Sequence, residues 1–250
     1  MNQAENDPTI IVALDVPSAM EALSLARMLD PKLCRVKVGM ELYYATGPAL
    51  IEGLHKAGFD VFLDLKMKDI PNTVTSTVKV LCGLGVWALN VHTDGGSKML
   101  LSVVEAVQKA AWQPHVIGVT VLTSMDYRDL REVGVPTPKE LTLPQVLKLA
   151  KLAEKCGLDG VVCSGQEAWE IRRRYTKDFL IITPGIRLPD GNKDDQKRIV
   201  TPEDAIVAGA DYLVIGRPIT GAPDPSAAME DFNARVRSAW RTSTKRNQGE

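Results

Sequence analysis

Cysteine and histidine are scarce in this sequence, and their scarcity limits the chemistry open to it. The chain has 4 cysteines and 3 histidines among 250 residues. No two cysteines form a C-x-x-C pair, and three of them fall in apolar segments, which predicts reduced, mostly buried thiols of the kind that cytoplasmic proteins carry. The histidines are far apart along the chain and match no ligand spacing of a metal motif. We therefore expect no metal site.

Long hydrophobic runs and an excess of charge of either sign are also missing. No apolar stretch approaches the roughly 20 residues of a membrane span, and the polar residues 1–8 lack the basic region of a signal peptide. The net charge is −1 and the isoelectric point about 6.3, so no long-range field favours nucleic acid or an anionic membrane. We expect a cytoplasmic protein with neither of these as its partner.

What the sequence does have is a regular alternation of short apolar strands with helical patterns. The predicted strands cover 9–15, 35–39, 59–63, 86–92, 115–122, 160–164, 179–183 and 211–215. Eight such units in 250 residues match a (β/α)₈ barrel. The competing doubly wound sheet usually has fewer strands and a glycine-rich turn after the first strand, where this chain has Asp15-Val16-Pro17-Ser18. The barrel is favoured.

The domain organisation follows from the same pattern. No change of composition marks a linker, so we predict one α/β TIM-barrel domain over residues 1–250, with the barrel covering about 9–240. One helix is predicted over 42–57 and a last helix over 226–240. No element is predicted in the polar stretch that precedes the helix starting at Gln145. Residues 241–250 are predicted to be a disordered tail.

Charged and polar side chains stand where the predicted strands end. Barrel enzymes place their active sites at the C-terminal ends of the strands. Those ends carry Asp15, Lys37, Asp64 with Lys66, His92, Thr123 with Ser124, Ser164, Arg187, and Gly216 with Arg217. One polar residue at the start of a loop means little, but two lysines and two aspartates around one mouth would be costly to bury without a purpose. The sequence therefore predicts an active site there.

The last two loops have the composition of a phosphate site. Barrels often bind phosphate with the loops after strands seven and eight. Gly216 lets backbone N–H groups approach an anion, and Arg217 offers a bidentate fork. Arg187 and Gln196 belong to the preceding loop, whose polar stretch 188–198 is predicted to be flexible. On spacing alone Arg217 could equally form a surface salt bridge, and Gln196 could be an ordinary solvated side chain.

The segment 63–73, LDLKMKDIPNT, resembles the D-x-K-x-x-D-I-P-N-T signature of orotidine 5'-phosphate decarboxylases. Further matches to that family follow the same order along the chain, in Ala13–Asp15, Lys37–Gly39, Val121–Ser124, Pro184–Arg187 and Ile215–Pro218. The resemblance extends from about residue 10 to residue 220. It is closest to the bacterial single-function form, because no phosphoribosyltransferase domain is attached.

The resemblance implies how a substrate would be held. Asp15 and Lys37 would hold ribose hydroxyls, and Thr123 or Ser124 would contact the pyrimidine. The 5'-phosphate would be held by Arg187, Gln196, Gly216 and Arg217.

The resemblance also implies a catalytic array and a partner. The array would consist of Lys37, Asp64, Lys66 and Asp69. Asp69 and Thr73 would reach the active site of a second subunit, so the implied assembly is a homodimer with shared active sites.

The implied reaction is loss of CO₂ from C6 of orotidine 5'-monophosphate, which yields UMP in the last step of pyrimidine nucleotide synthesis. The carbanion left at C6 lies in the ring plane, so the ring carbonyls cannot accept it by π delocalisation, and preorganised charge must stabilise it. Lys66, flanked by Asp64 and Asp69, is expected to remain an ammonium and to deliver the proton to C6. No cofactor is expected.

Two other classes of function share part of this pattern. Hexulose-phosphate synthases have the D-x-K-x-x-D core but use it with Mg²⁺, and the residues 70–73 and 184–187 favour the nucleotide enzyme over them. A non-catalytic nucleotide sensor with a barrel fold would keep the phosphate-binding residues but would not need two lysines and two aspartates together. Chelation distinguishes the first alternative, and tight UMP binding without turnover distinguishes the second.

Overall fold

Eight parallel strands close into a barrel in this computed structural model, which describes residues 7–188 and 200–247. Each strand pairs with its neighbours in chain order, and the first pairs with the last. The strands are β1 Ile10–Ala13, β2 Cys34–Gly39, β3 Val61–Met67, β4 Ala88–His92, β5 His115–Val119, β6 Gly160–Val162, β7 Leu180–Thr183 and β8 Tyr212–Ile215. The predicted (β/α)₈ barrel is confirmed.

Helices connect the strands and surround the barrel. They are α1 Ala19–Arg27, α2 Met40–Thr46, α3 Pro48–Lys56, α4 Pro71–Cys82, α5 Ser97–Gln108, α6 Tyr127–Glu132, α7 Leu143–Lys155, α8 Gly165–Arg172, α9 Pro202–Val207, α10 Arg217–Thr220 and α11 Pro225–Asn247. Short 3₁₀ turns cover Thr93–Gly95 and Pro138–Glu140. Within the described ranges, no helix is long and apolar enough to cross a membrane.

The barrel separates two apolar cores. The larger core lies between the strands and the surrounding helices and contains every second strand residue, such as Val36 and Leu63. The smaller core fills the barrel interior with Ile11, Phe62 and Ile117 among others. Because strand side chains alternate between faces, the residues that follow this inner set toward the C-terminal ends of the strands face the barrel mouth above an apolar floor.

The N-terminal end of the barrel is filled by a buried cation among aromatic rings. The Arg35 guanidinium lies 4.3 Å from the centroid of the Trp87 ring. It also donates hydrogen bonds to the Pro8 carbonyl and to the Asp7 carboxylate. The Tyr212 hydroxyl donates to the other oxygen of Asp7 at 2.7 Å. Among the described residues, these side chains close the N-terminal end of the barrel.

Some predicted boundaries differ from the observed ones. The single helix predicted over 42–57 is two helices, because Gly47 has a φ of 65° and Pro48 then starts α3. The Asp126 side chain caps α6 in the stretch where no element was predicted. Helix α11 continues to Asn247, beyond its predicted end at residue 240. The predicted flexible loop lies outside the described residues except for Leu188, as does the end of the predicted tail, 248–250.

Candidate active site

Strand β3 continues through the charged residues at which the sequence pattern predicted its end. Asp64 and Leu65 are buried, and Lys66 is half-buried. Leu65 packs outward into the core beneath the helices, while Asp64 and Lys66 face the barrel mouth. Lys66 has a φ of 49°, in the left-handed region that residues with a side chain seldom adopt. The carboxylate of Asp64 and the ammonium of Lys66 thus face the mouth from a segment in which the Lys66 backbone has an unusual conformation.

Four charged side chains form a continuous row across the strands β1 to β3. Lys66 Nζ donates to Asp64 Oδ1 at 2.7 Å, and Lys37 Nζ lies 3.3 Å from Asp64 Oδ2. Lys37 Nζ also donates to Asp15 Oδ1 at 3.0 Å. Two ammonium groups thus share one carboxylate, and the structure brings together four of the residues that the sequence predicted for the site.

Burial and the attraction between opposite charges shift the pKa values of Lys37 and Asp64 in opposite directions. Burial lowers the pKa of Lys37, but the carboxylates of Asp64 and Asp15 outweigh it and the pKa is raised above its ordinary value. Burial likewise raises the pKa of Asp64, and the two lysines together with the Asn90 amide outweigh it and lower that pKa. Each buried group is therefore held in its charged form by its neighbours.

The side chains in this row differ in their exposure to solvent. The Lys37 and Asp64 side chains are 10 % and 11 % exposed, whereas that of Lys66 is 30 % exposed. Lys66 therefore presents an ammonium to the mouth of the barrel, backed by a carboxylate that a second lysine holds in place. Such an arrangement can pair with negative charge that develops on a bound molecule and can donate a proton to it.

Asn90 in β4 also belongs to this cluster and was not predicted from the sequence. Its side-chain Nδ2 donates to Asp64 Oδ1 at 2.6 Å, and its Oδ1 accepts from the backbone N–H of Lys66 at 2.7 Å. Asn90 is 1 % exposed. The only sequence signal for it is a polar residue inside an apolar strand, two positions before His92.

Among the described residues, Asp69 and Thr73 form no hydrogen bond or ion pair with the row. Asp69 is exposed in the connection from β3 to α4, and Thr73 is exposed in the first turn of α4. The Asp69 carboxylate accepts from the N–H of the next residue, Ile70, at 2.6 Å. The Ile70 side chain is itself 67 % exposed. This connection therefore presents an acidic and an apolar side chain to the surroundings, in contrast to the buried pair of Lys37 and Asp64.

The loop after β8 lies beside the charged row. A Cβ atom built on Gly216 would lie 3.8 Å from Asp15 Oδ2. Arg217 is exposed as the first residue of α10. Arg187 is 8 % exposed, and its backbone N–H donates to the Val200 carbonyl, which ties the two ends of the loop after β7 together. Gln196 lies outside the described residues.

The remaining polar residues that the sequence placed at strand ends are Thr123, Ser124, His92 and Ser164. Thr123 and Ser124 form a turn beyond the end of β5, where Thr123 is partly buried and Ser124 exposed. His92 lies at the end of β4, and burial lowers its pKa. Ser164 is fully buried and its hydroxyl donates to Glu167 at 2.6 Å, as part of the cap of α8. Ser164 therefore serves the fold.

Comparisons with known proteins agree with this geometry. A sequence model of the family "Orotidine 5'-phosphate decarboxylase / HUMPS family" matches residues 8–232. The orotidine 5'-phosphate decarboxylase of Hydrogenovibrio crunogenus is 52 % identical over 94 % of this chain and 99 % of its own. That of Nitrosomonas europaea is 54 % identical over 93 % and 99 %. The crystal structure of the Lactobacillus acidophilus enzyme superposes with a TM-score of 0.81 at 39 % identity, covering 92 % and 99 % of the two chains.

Proposed function

The chain belongs to the orotidine 5'-phosphate decarboxylase / HUMPS family, and we propose that its charged row converts orotidine 5'-monophosphate to UMP with Lys66 as the proton donor. The observation that supports this assignment most directly is the partly exposed Lys66 ammonium, 2.7 Å from the buried Asp64 carboxylate at the barrel mouth. An ammonium in this position can meet both the departing carboxylate group and the carbanion that replaces it.

The chemical step needs no group beyond these side chains. The bond between C6 and the carboxylate breaks, CO₂ leaves, and the electron pair stays on C6. Lys66 Nζ then gives one proton to C6 and regains one from solvent. The barrier is lowered because the ammonium is already oriented before the carbanion forms, so little reorganisation is needed during the reaction.

Asp64 and Lys37 support the donor in different ways. Asp64 accepts from Lys66 and so restricts the position of Nζ. The Lys37 ammonium forms an ion pair with the second oxygen of Asp64 and another with Asp15. We propose that the Asp15–Lys37 pair holds the ribose hydroxyls at the edge of the row. The pyrimidine would then lie between Lys66 and the turn of Thr123 and Ser124.

The phosphate is assigned to the loops after β7 and β8. Gly216 lies beside Asp15. A phosphate bound near the Gly216 backbone would therefore be separated from the charged row by no more than the length of one nucleotide. Arg217 starts α10 next to that position, and Arg187 lies in the neighbouring loop. We propose that these residues and Gln196 bind the 5'-phosphate.

The active form is proposed to be a homodimer in which each site receives Asp69 and Thr73 from the partner. The exposed connection from β3 to α4 supports this, since Asp69 lies on the surface beside an exposed Ile70. A cytoplasmic location is proposed as well. Its support is that all four cysteines carry free thiols in the interior, as in proteins of a reducing compartment.

The experiment that tests the proposed donor rebuilds the lysine chemically. Purified protein is incubated with orotidine 5'-monophosphate while the loss of orotate absorbance is followed, and Lys66→Cys is expected to be inactive. Alkylation of that thiol with 2-bromoethylamine restores an ammonium at the length of a lysine side chain. The four native cysteines are at most 4 % exposed, so the reaction is selective.

We expect the alkylated variant to recover activity while wild-type protein treated in the same way is unaffected. Lys79→Cys, on the exposed side of α4, is the matched control and should be active before and after alkylation. An alkylated Lys66→Cys variant that binds UMP but stays inactive would contradict the assignment of Lys66. A wild-type protein that leaves the absorbance unchanged would contradict the proposed function itself.

A further inference from the structure

We propose that Asn90 is a positioning residue that holds Lys66 and Asp64 in their reactive arrangement. The inference rests on the proposed function, because it concerns the same reaction. Asn90 touches both residues but lies beneath them, 1 % exposed, so it acts through them and not on the substrate.

The first support is the register between β3 and β4. Leu63 is paired with Leu89, and the next pair is Met67 with Val91. Three residues of β3, from Asp64 to Lys66, therefore lie opposite the single residue Asn90. A bulge of this kind interrupts the backbone ladder and redirects side chains, and such bulges are common next to active sites.

The second support is that one amide group serves both sides of this bulge. The backbone N–H of Lys66 requires an acceptor, and Asn90 Oδ1 provides it at 2.7 Å. The Asp64 carboxylate requires a donor, and Asn90 Nδ2 provides it at 2.6 Å. Both partners demand the same orientation of the amide, so its oxygen and nitrogen are assigned without ambiguity.

The third support is the conformation of Lys66. A φ of 49° is unfavourable for lysine, and an unfavourable backbone persists only when its surroundings determine it from several sides. The hydrogen bond from Lys66 N–H to Asn90 fixes the backbone, and the bond from Nζ to Asp64 Oδ1 fixes the end of the side chain. Because Asn90 also holds Asp64, it contributes to both constraints.

The rival explanation is that Asn90 is an ordinary buried amide that serves only folding. The chain offers a matched case in Asn233 of α11, which is 8 % exposed and donates from Nδ2 to the carbonyls of Leu33 and Met229. Leu33 immediately precedes β2, so Asn233 lies at the N-terminal end of the barrel, opposite the charged row. The same substitution at both positions therefore separates lost stability from lost positioning.

The first test compares Asn90→Leu with Asn233→Leu below the unfolding temperature of both. Leucine has a similar volume but can neither accept from Lys66 nor donate to Asp64. We expect kcat to fall about 100-fold in Asn90→Leu, since a misplacement of about 1 Å has an effect of that size. Its affinity for UMP should stay within about threefold of wild type, because other residues hold the nucleotide. Asn233→Leu should keep the wild-type kcat.

The second test uses Asn90→Asp, which changes the shape of the side chain least. When protonated, the new carboxyl can accept from Lys66 N–H and donate to Asp64, as the amide does. When ionised, it faces Asp64 with like charge. We expect kcat close to wild type at low pH and a loss of kcat that begins at a lower pH than any loss in the wild-type profile. A purely structural role would leave the two profiles parallel.

The outcomes separate the inference from the function on which it rests. If the wild type is active and Asn90→Leu keeps the wild-type kcat, the role of Asn90 alone is overturned. If Asn90→Leu does not fold, a pH profile of Asn90→Asp parallel to that of the wild type overturns it instead. A wild type without decarboxylase activity would overturn both.

Discussion

The ammonium of Lys37 lies 3.3 Å from Oδ2 of Asp64, inside the barrel mouth, with only 10 % and 11 % of the two side chains exposed. This pair links Asp15, on the proposed ribose side of the site, to Lys66, the proposed proton donor. It also makes the stability of the fold depend on pH, because the pKa of Lys37 is raised and that of Asp64 is lowered.

The first prediction concerns that dependence. A raised lysine pKa stabilises the fold below the ordinary value of about 10.4, and this contribution is lost as pH rises through the folded pKa. A lowered aspartate pKa stabilises the fold above about 3.9, and this contribution is lost as pH falls through the folded pKa. Lys37→Met should therefore lower the free energy of unfolding by about 3 kcal/mol near neutrality.

Urea denaturation across pH measures this effect. The difference between wild type and Lys37→Met should be constant between about pH 5 and pH 9 and should shrink on either side. Lys79→Met, at an exposed position of α4, is the control and should differ little from wild type at any pH. A difference that does not change with pH would show that packing, and not charge, accounts for the loss.

The second prediction concerns the phosphate. Arg217→Ala should lower kcat/KM for the nucleotide by about 10- to 100-fold, the effect of losing a charge-assisted hydrogen bond. Orotidine, which lacks phosphate, should be a poor substrate for both proteins, because remote binding energy is used in the transition state. Arg27→Ala, at the exposed end of α1, is the matched control. Equal kinetics of Arg217→Ala and wild type would make Arg217 a surface residue.

The third prediction concerns sharing of the site between subunits. Lys66→Ala and Asp69→Ala should each be nearly inactive. When the two are unfolded together and refolded, half of the dimers should be hybrids with one intact site, so about a quarter of wild-type activity should return. If the mixture stays inactive despite confirmed subunit exchange, Asp69 acts in the site of its own chain.

The fourth prediction concerns metal ions. Because charge stabilisation is assigned to the Lys66 ammonium, decarboxylation should continue at an unchanged rate after exhaustive treatment with EDTA and dialysis. The measurement is the initial rate before chelation, after it and after addition of Mg²⁺. A rate that is lost and then restored by Mg²⁺ would move the chain toward the hexulose-phosphate synthase chemistry.

The fifth prediction concerns the closed end of the barrel. Arg35→Met removes the cation between Trp87 and Asp7 and should lower the free energy of unfolding by about 3 kcal/mol. It should leave kcat within about twofold of wild type, because this end of a barrel contributes to stability and the other to catalysis. Thermal unfolding and steady-state kinetics on the same sample test both parts. A large loss of kcat would mean that the two ends are coupled.

Local pattern was sufficient for the outline of this protein. The strand and helix periods are properties of neighbouring residues, so eight units and their order could be read directly, and Asp15, Lys37, Asp64 and Lys66 stood out as charges at the ends of apolar runs. The split of the helix at Gly47 was missed, since a Gly-Pro pair is compatible with either a bend or a break.

Other features depended on contacts between distant segments, which no local period encodes. The register of β4 against β3 places Asn90 opposite the bulge and makes a left-handed Lys66 possible. Closure of β8 against β1 brings Gly216 beside Asp15 across some two hundred residues of chain. The residue types of the site were thus set by the sequence itself, whereas their distances, charge states and supporting amide were decided by how the barrel closes.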